Sequence, residues 1–184
     1  MESEDSLEPV SWRSVFYKVR RPAIVIIMTY LVTLSVFPGV ISEAQSAPLG
    51  DWYPVLQIAC FNFCDTIGKI LSSRHQLVSY EPSSKFTRVA LVTLARFLLM
   101  PIFIICAAPL SDPLIQSEIV LFLATGLLGL TGGYIGTTAM MLGPDLVSPR
   151  EKELAGTIMA FCLLSGLGLG TAVSFLFGYL IHIS

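Results

Sequence analysis

Charged side chains are scarce in this sequence. Only 13% of its 184 residues are Asp, Glu, Lys or Arg, whereas 54% are hydrophobic. Soluble domains carry about a quarter charged residues, so this composition excludes an ordinary water-soluble domain. It predicts an all-α integral membrane protein whose surroundings are the lipid bilayer.

The residue types of enzyme and metal sites are also few. The two histidines, His75 and His182, lie far apart, and the four cysteines contain no CxxC pair. All four cysteines fall in apolar stretches, as small buried hydrophobic side chains do. The sequence therefore predicts that the protein is not an enzyme, and it predicts no cofactor, no metal site and no nucleic-acid partner.

Five long apolar segments are separated by short polar ones. Each can cross about 30 Å of hydrocarbon as a helix that rises about 1.5 Å per residue. The predicted transmembrane helices are residues 23–41, 53–73, 89–107, 119–142 and 154–181. Together they make residues 23–184 a five-helix transmembrane bundle. In the third helix, Pro101 is expected to free a backbone carbonyl and bend the chain.

Residues 1–22 precede the first span and change from acidic to basic. Residues 1–9 are acidic and polar, unlike the basic start of a secretory signal peptide, and are predicted to be disordered. Apolar side chains then recur at helical spacing from Trp12 to Val19, with Lys and Arg around them. This amphipathic pattern is consistent either with a short helix in the membrane interface or with the basic flank of the first span.

Lys and Arg residues outside the predicted spans are confined to one side of the membrane. These nine residues are Arg13, Lys18, Arg20, Arg21, Arg74, Lys85, Arg88, Arg150 and Lys152. The other two connections and the C-terminal end contain no Lys or Arg. The positive-inside rule makes the basic side cytosolic, so residues 1–22 are predicted to be a cytosolic tail. Five spans then place the C-terminal Ser184 on the opposite side.

One stretch of the second span is polar. Residues 61–69 contain the chain's only asparagine, Asn62, together with Asp65, Thr66 and Lys69. At about 100° per residue these four side chains share one face of a helix, and Asp65 can meet Lys69. Charges within a span are costly unless they face a bundle interior or a water-filled path. The stretch indicates a polar pathway; the alternative is that Lys69 snorkels to the headgroups and Asp65 pairs with it structurally.

Arg96 is a further charged residue within a predicted span. It lies about seven residues from the cytosolic end of the third span, and Asp65 lies about eight from that end of the second, so both are roughly 10–12 Å deep. We therefore predict that Asp65, Lys69 and Arg96 form one coupled polar layer, in which a carboxylate between two cations offsets part of the desolvation cost of each. With Asn62, they are the candidate substrate-binding residues.

Small residues recur every four positions in the last two spans. Such rows let helix backbones approach closely, which predicts packing faces. The rows are Gly129 with Gly133, Gly132 with Gly136, and Gly166, Gly170, Ser174 and Gly178.

Several motifs occur in a characteristic order through nearly the whole chain. They are Phe37-Pro38-Gly39, Trp52-Tyr53-Pro54, Phe61-Asn62, Asp65-x-x-Gly68-Lys69, Ala95-Arg96 before Pro101, Gly133-Tyr134, Gly143-Pro144 and Glu153-x-Ala155-Gly156. In this order and spacing they resemble the C-terminal half of an equilibrative nucleoside transporter. Two positions depart from the family pattern: Lys69, where arginine is frequent, and Gly132, where asparagine is usual.

This resemblance implies a major-facilitator-like fold of eleven helices, six and then five, that moves nucleosides down their gradient by alternating access. Asp65 and Lys69 would hold the ribose hydroxyls. The base would be recognised largely by the first six helices, which this sequence does not contain. The implied solute is a nucleoside, a nucleobase or, as in a related branch, an organic cation.

The resemblance also implies a truncated form or a half-transporter, with a second helical half or a homo-oligomer as its partner. The expected location is the plasma membrane, with the vacuolar or lysosomal membrane as the alternative. A different interpretation also stays open, in which the chain is a non-transporting regulatory or scaffold subunit of the membrane.

Overall fold

The computed structural model describes residues 11–39, 49–76, 82–107 and 118–183. Helices account for nearly all of these residues. They are α1 (Trp12–Val36), α2 (Trp52–Gln76), α3 (Pro82–Arg96), α4 (Leu99–Ala107), α5 (Glu118–Asp145), a 3-10 turn (Pro149–Glu151) and α6 (Lys152–Ile183). This all-helical architecture, with its long apolar helices, is that of an integral membrane protein.

Four segments of the described chain are long and apolar enough to cross a membrane. They are Trp12–Val36, Thr87–Ile105, Glu118–Asp145 and Pro149–Tyr179. α2 is not among them, although its 25 residues would extend about 37 Å. Its polar residues lower its hydropathy. The interpretation of α2 as a fifth span rests instead on its packing along α5, described below.

The first helix begins at Trp12, before the predicted start of the first span at residue 23. α1 is continuous from Trp12 to Val36, so the amphipathic segment and the first span are a single helix. The structure therefore agrees with the basic flank and not with a separate interfacial helix. The acidic residues 1–9 lie outside the described residues.

The third predicted span is divided into two helices. α3 ends at Arg96 and α4 begins at Leu99. Because Pro101 has no backbone N–H, the Phe97 carbonyl cannot receive the usual helical bond from it. The Met100 N–H donates to this carbonyl instead, at 3.2 Å. The bend expected before Pro101 is thus a break of the helix.

Two pairs of parallel helices make the closest contacts. In the first pair, Gly129 and Gly133 of α5 lie against the backbone of α2. A Cβ atom added to Gly129 would lie 2.5 Å from the Phe61 carbonyl oxygen, and one added to Gly133 would overlap the Asp65 carbonyl oxygen. At the far end of this contact, α2 and α5 are joined by a hydrogen bond between hydroxyl groups, that of Ser72 with that of Thr138 at 2.7 Å.

The second pair joins the first and last helices of the chain. A Cβ added to Gly166 of α6 would lie 2.7 Å from the Ile27 carbonyl oxygen, and one added to Gly170 would lie 2.7 Å from that of Leu31. Gly178, by contrast, has open space around it. The prediction that the glycine rows are packing faces is therefore confirmed for Gly129, Gly133, Gly166 and Gly170, whose contacts with helix backbones are used within the bundle. Gly132 and Gly136 lie against side chains instead.

An ion pair fixes the starts of α1 and α6 at the same end of the bundle. Lys18 Nζ lies 2.8 Å from a carboxylate oxygen of Glu151. The same carboxylate accepts hydrogen bonds from the Ser148 backbone N–H at 3.1 Å and from the Ser148 hydroxyl at 2.9 Å. Glu151 thus stabilises the beginning of the last helix and links it to the basic part of α1.

Candidate functional site

The predicted site residues lie between two apolar cores. One core includes Val19, Ile26 and Met159, and the other includes Val36, Phe103 and Leu128. The zone between them contains the polar side chains of α1, α2, α3 and α5.

Asp65 and Lys69 form an ion pair on α2. Lys69 Nζ lies 2.6 Å from Asp65 Oδ2, and the side chains are 53% and 19% exposed. Asp65 is held on the α5 side, where its Oδ1 would lie 2.9 Å from a Cβ added to Gly133. Lys69 extends outward, so the pair has one anchored carboxylate and one accessible ammonium group.

Asn62 lies on the same side of α2 and is exposed. One helical turn later, the Thr66 hydroxyl donates to the Asn62 carbonyl at 2.8 Å. Asn62, Thr66, Lys69 and Ser73 are all exposed. We call this row, together with the partly buried Asp65 that pairs with Lys69, the open face of α2. Because α2 packs mainly against α5, none of the described helices covers this face.

Arg96 has a different environment. Its side chain is only 2% exposed. Nη1 donates to the Thr131 hydroxyl at 2.9 Å, and Nη2 donates to the Thr33 hydroxyl at 2.7 Å. The guanidinium group therefore links the end of α3 to both α5 and α1. A Cβ added to Gly132 would lie 3.1 Å from Nη1, so the absence of a side chain there makes room for the guanidinium.

The three charged residues form two separate clusters, so the predicted placement of the Asp65 carboxylate between the two cations is wrong: it pairs with Lys69 alone, because the packing of α1 and α5 gives Arg96 threonine partners. Asp65 pairs with Lys69, whereas the guanidinium hydrogen bonds of Arg96 go to the hydroxyls of Thr131 and Thr33 and not to a carboxylate. On α5, Gly133 faces Asp65 and its neighbour Gly132 faces Arg96. Solute binding by Arg96 stays a prediction, and its observed contacts are those of a group that joins helices.

Several polar residues of the bundle were not predicted from the sequence. Thr33 and Thr131 hold Arg96, yet threonine is common in membrane helices and no pattern singled these two out. Gln57 is fully buried, and in the described structure neither its amide oxygen nor its amide nitrogen has a hydrogen-bond partner. Its position within the second predicted span was a signal that could have identified it.

Comparison with known proteins gives a consistent result. Residues 2–179 match the profile of a family described as "Nucleoside transporter". The chain is 37% identical over 150 residues to equilibrative nucleoside transporter 4 of Danio rerio, covering 82% of this chain and 28% of that protein. It is 36% identical over 180 residues to equilibrative nucleotide transporter 1 of Arabidopsis thaliana, and the match covers 94% of this chain and 38% of that protein. It is 32% identical over 172 residues to equilibrative nucleoside transporter 2 of Homo sapiens, and the match covers 89% of this chain and 37% of that protein.

These matches cover different shares of the two sequences. The chain spans about a third of the length of the curated relatives it matches. The matched part is the C-terminal portion of those relatives.

Proposed function

We propose, since the chain belongs to the nucleoside transporter family, that it forms the C-terminal helical wall of a carrier that moves nucleosides across a membrane by facilitated diffusion. The observation that carries this proposal is the open face of α2. It bears an ion pair, an amide and a hydroxyl within a membrane bundle, and none of the described helices covers it.

Such a face requires a polar counterpart. Lys69 is more than half exposed, and polar groups in contact with lipid cost several kcal/mol when they lack hydrogen-bond partners. In rocking carriers the substrate site lies near the membrane midplane between two helical halves. A second half facing Asn62, Asp65 and Lys69 would replace lipid with a polar path.

The chemistry of the open face suits an uncharged solute rich in hydroxyl groups. The Asp65 carboxylate accepts hydrogen bonds, Lys69 donates them, and the Asn62 amide does both. Because the ion pair is neutral as a whole, a neutral solute can enter without bringing a charge that needs compensation. The two adjacent hydroxyls of ribose offer both donors and acceptors, which supports nucleosides over bare nucleobases and over organic cations.

The partner in this proposal is either a separate six-helix half or a second copy of the chain. The proposed location is the plasma membrane, with the vacuolar or lysosomal membrane as the alternative, and the N-terminus is cytosolic. The Lys18–Glu151 pair supports this orientation, because it brings two of the basic segments to the same end of the bundle.

Reconstitution tests the need for a second wall. The purified chain is placed in liposomes alone and together with a separately expressed six-helix N-terminal half of a relative, and uptake of labelled uridine and adenosine is measured. We expect saturable uptake only with a partner or in a homo-oligomer. Saturable, inhibitor-sensitive uptake by a chain that native mass measurement shows to be monomeric would contradict the proposal.

Substitution at Asp65 tests the contact with ribose. Asp65→Asn removes one charged hydrogen bond, worth about 1.5–3 kcal/mol, so uridine uptake should fall about 10- to 100-fold while uracil uptake falls less. The matched control is Asp145→Asn, at the exposed end of α5, which should leave both unchanged. An equal loss for uridine and uracil would show that Asp65 is structural.

The regulatory or scaffold interpretation makes a different prediction from the same open face. There the face would be a binding surface for another membrane protein, with no solute path. Stable complexes that take up no nucleoside, together with unchanged assembly in Asp65→Asn, would favour it.

A further inference from the structure

Two cysteine side chains converge on one glycine where α2 crosses α5. The Sγ atoms of Cys64 and Cys60 lie 3.4 and 3.7 Å from the position of a Cβ added to Gly126. The two sulfur atoms are therefore at most about 7 Å apart. Both cysteines are free thiols and are only partly buried. Cys60 Sγ donates a weak hydrogen bond to the Phe122 carbonyl at 3.9 Å.

We propose that Cys60 and Cys64 form a chelating dithiol site for thiophilic metal and metalloid ions, of which trivalent arsenic is the test case. This site is separate from the open face of α2 and does not depend on the proposed transport function. Its donors are soft sulfur atoms, which select ions such as monovalent copper over magnesium or calcium.

The helix already places the two thiols for chelation. Residues four apart lie on the same face with Cβ atoms about 5–6 Å apart. A metal–sulfur bond is about 2.3 Å long for zinc, so a bridging ion of similar size needs sulfur atoms separated by roughly 4.6 Å or less. Chelation therefore requires Cys60 and Cys64 to rotate about χ1, between staggered rotamers, until their sulfurs lie within that range. Gly126 has no side chain on the side that faces both sulfurs.

The reaction with an arsenical is balanced without a redox partner. In phenylarsine oxide, arsenic carries one oxygen and is trivalent. The two S–H bonds of Cys60 and Cys64 break, two As–S bonds form, and the oxygen leaves with both protons as one water molecule. Arsenic stays trivalent, and no oxidant or reductant is needed.

Chelation should distinguish this pair from a single thiol. Once the first As–S bond has formed, closure of the second is intramolecular, which raises the overall affinity by about 10²- to 10⁴-fold. Cys162 of α6 is a buried single thiol and serves as the matched control.

The experiment treats the purified full chain with phenylarsine oxide in detergent micelles and measures intact mass after washing with excess monothiol. The unmodified chain and Cys162→Ser should retain one adduct, which a dithiol such as dimercaptopropanol removes. Cys60→Ser and Cys64→Ser should each lose retention by at least about 100-fold.

A folding control separates loss of the site from loss of structure. Cys60→Ser and Cys64→Ser, together with the alanine variants at both positions, are compared with the parent chain by helical circular dichroism, and the adduct is measured in every variant with unchanged helix content. Retention of the adduct in a folded Cys60 or Cys64 variant would overturn the proposal. So would loss of the adduct in Cys162→Ser, or failure of the unmodified chain to retain it.

Discussion

Alanine at Gly129 tests whether the α2–α5 contact sets the position of the candidate site. The new Cβ would lie 2.5 Å from the Phe61 carbonyl oxygen and 3.2 Å from the Asp65 nitrogen. Since ordinary contacts of a Cβ begin near 3.4 Å, α2 and α5 must separate by up to about 0.9 Å. A gap of 0.5–1 Å forfeits about a quarter to a half of the dispersion energy of the atoms that line it.

The matched control is Gly168→Ala on α6, where an added Cβ has open space. Both substitutions gain the same helix propensity, about 1 kcal/mol for alanine over glycine, so their difference isolates the packing cost. Overpacking costs about 1–3 kcal/mol. Gly129→Ala should therefore be less stable than Gly168→Ala by about 1–3 kcal/mol.

Reversible unfolding in mixed detergent micelles with increasing dodecyl sulfate, followed by helical circular dichroism, gives the two free energies of unfolding. Maleimide labelling of Cys64, which lies in the same contact, provides a second measurement and should be faster in Gly129→Ala than in Gly168→Ala. Equal stabilities and equal labelling rates would refute the conclusion that this glycine is required for the helix contact.

Four further predictions concern the charged side chains and the topology. Asp65→Asn should destabilise the chain more than Asp65→Asn combined with Lys69→Met, because the single change leaves the Lys69 charge without its carboxylate; unfolding titrations of the two variants measure this. Thr33→Val should cost about 1.5–3 kcal/mol, since it removes an acceptor from a buried guanidinium. Arg96→Met should change the free energy of unfolding by less than about 1 kcal/mol, because the hydroxyls of Thr33 and Thr131 still donate to carbonyls of their own helices. The same unfolding titration compares Thr33→Val with Arg96→Met. A larger loss of stability in Arg96→Met than in Thr33→Val would contradict this explanation. Protease-sensitive tags in the connection between α2 and α3 and at the C-terminus should be cleaved from opposite sides of sealed vesicles, and cleavage of both from one side would contradict the predicted topology.

The helices of the bundle could be predicted from the sequence because apolar length is a local property. The predicted spans at residues 119–142 and 154–181 fall within α5 and α6. Pro101 correctly indicated that the third span is not one straight helix. The meeting of Asp65 with Lys69 was likewise predictable, since it depends only on their separation by four residues in one helix.

The contacts of Arg96 could not be predicted in the same way. Its partners, Thr33 and Thr131, lie on two other helices, more than thirty residues away in sequence. The depth of a charge follows from its place along a span, but its direction around the helix depends on which neighbours pack there. Depth alone therefore predicted that Arg96 lies beside Asp65. In the structure, the packing of α1 and α5 gives Arg96 threonine partners instead.

The pairing of α1 with α6 sets the order in which the bundle can be assembled. The backbone of α1 at Ile27 packs against Gly166, which is synthesised about 140 residues later. At about 5–20 residues per second, this delay is roughly 7–28 s. During that interval the α6-contacting side of α1 faces lipid or the insertion machinery. The last helix therefore closes the bundle, and a ribosome that stops before Gly166 would release a chain whose first helix lacks its principal partner.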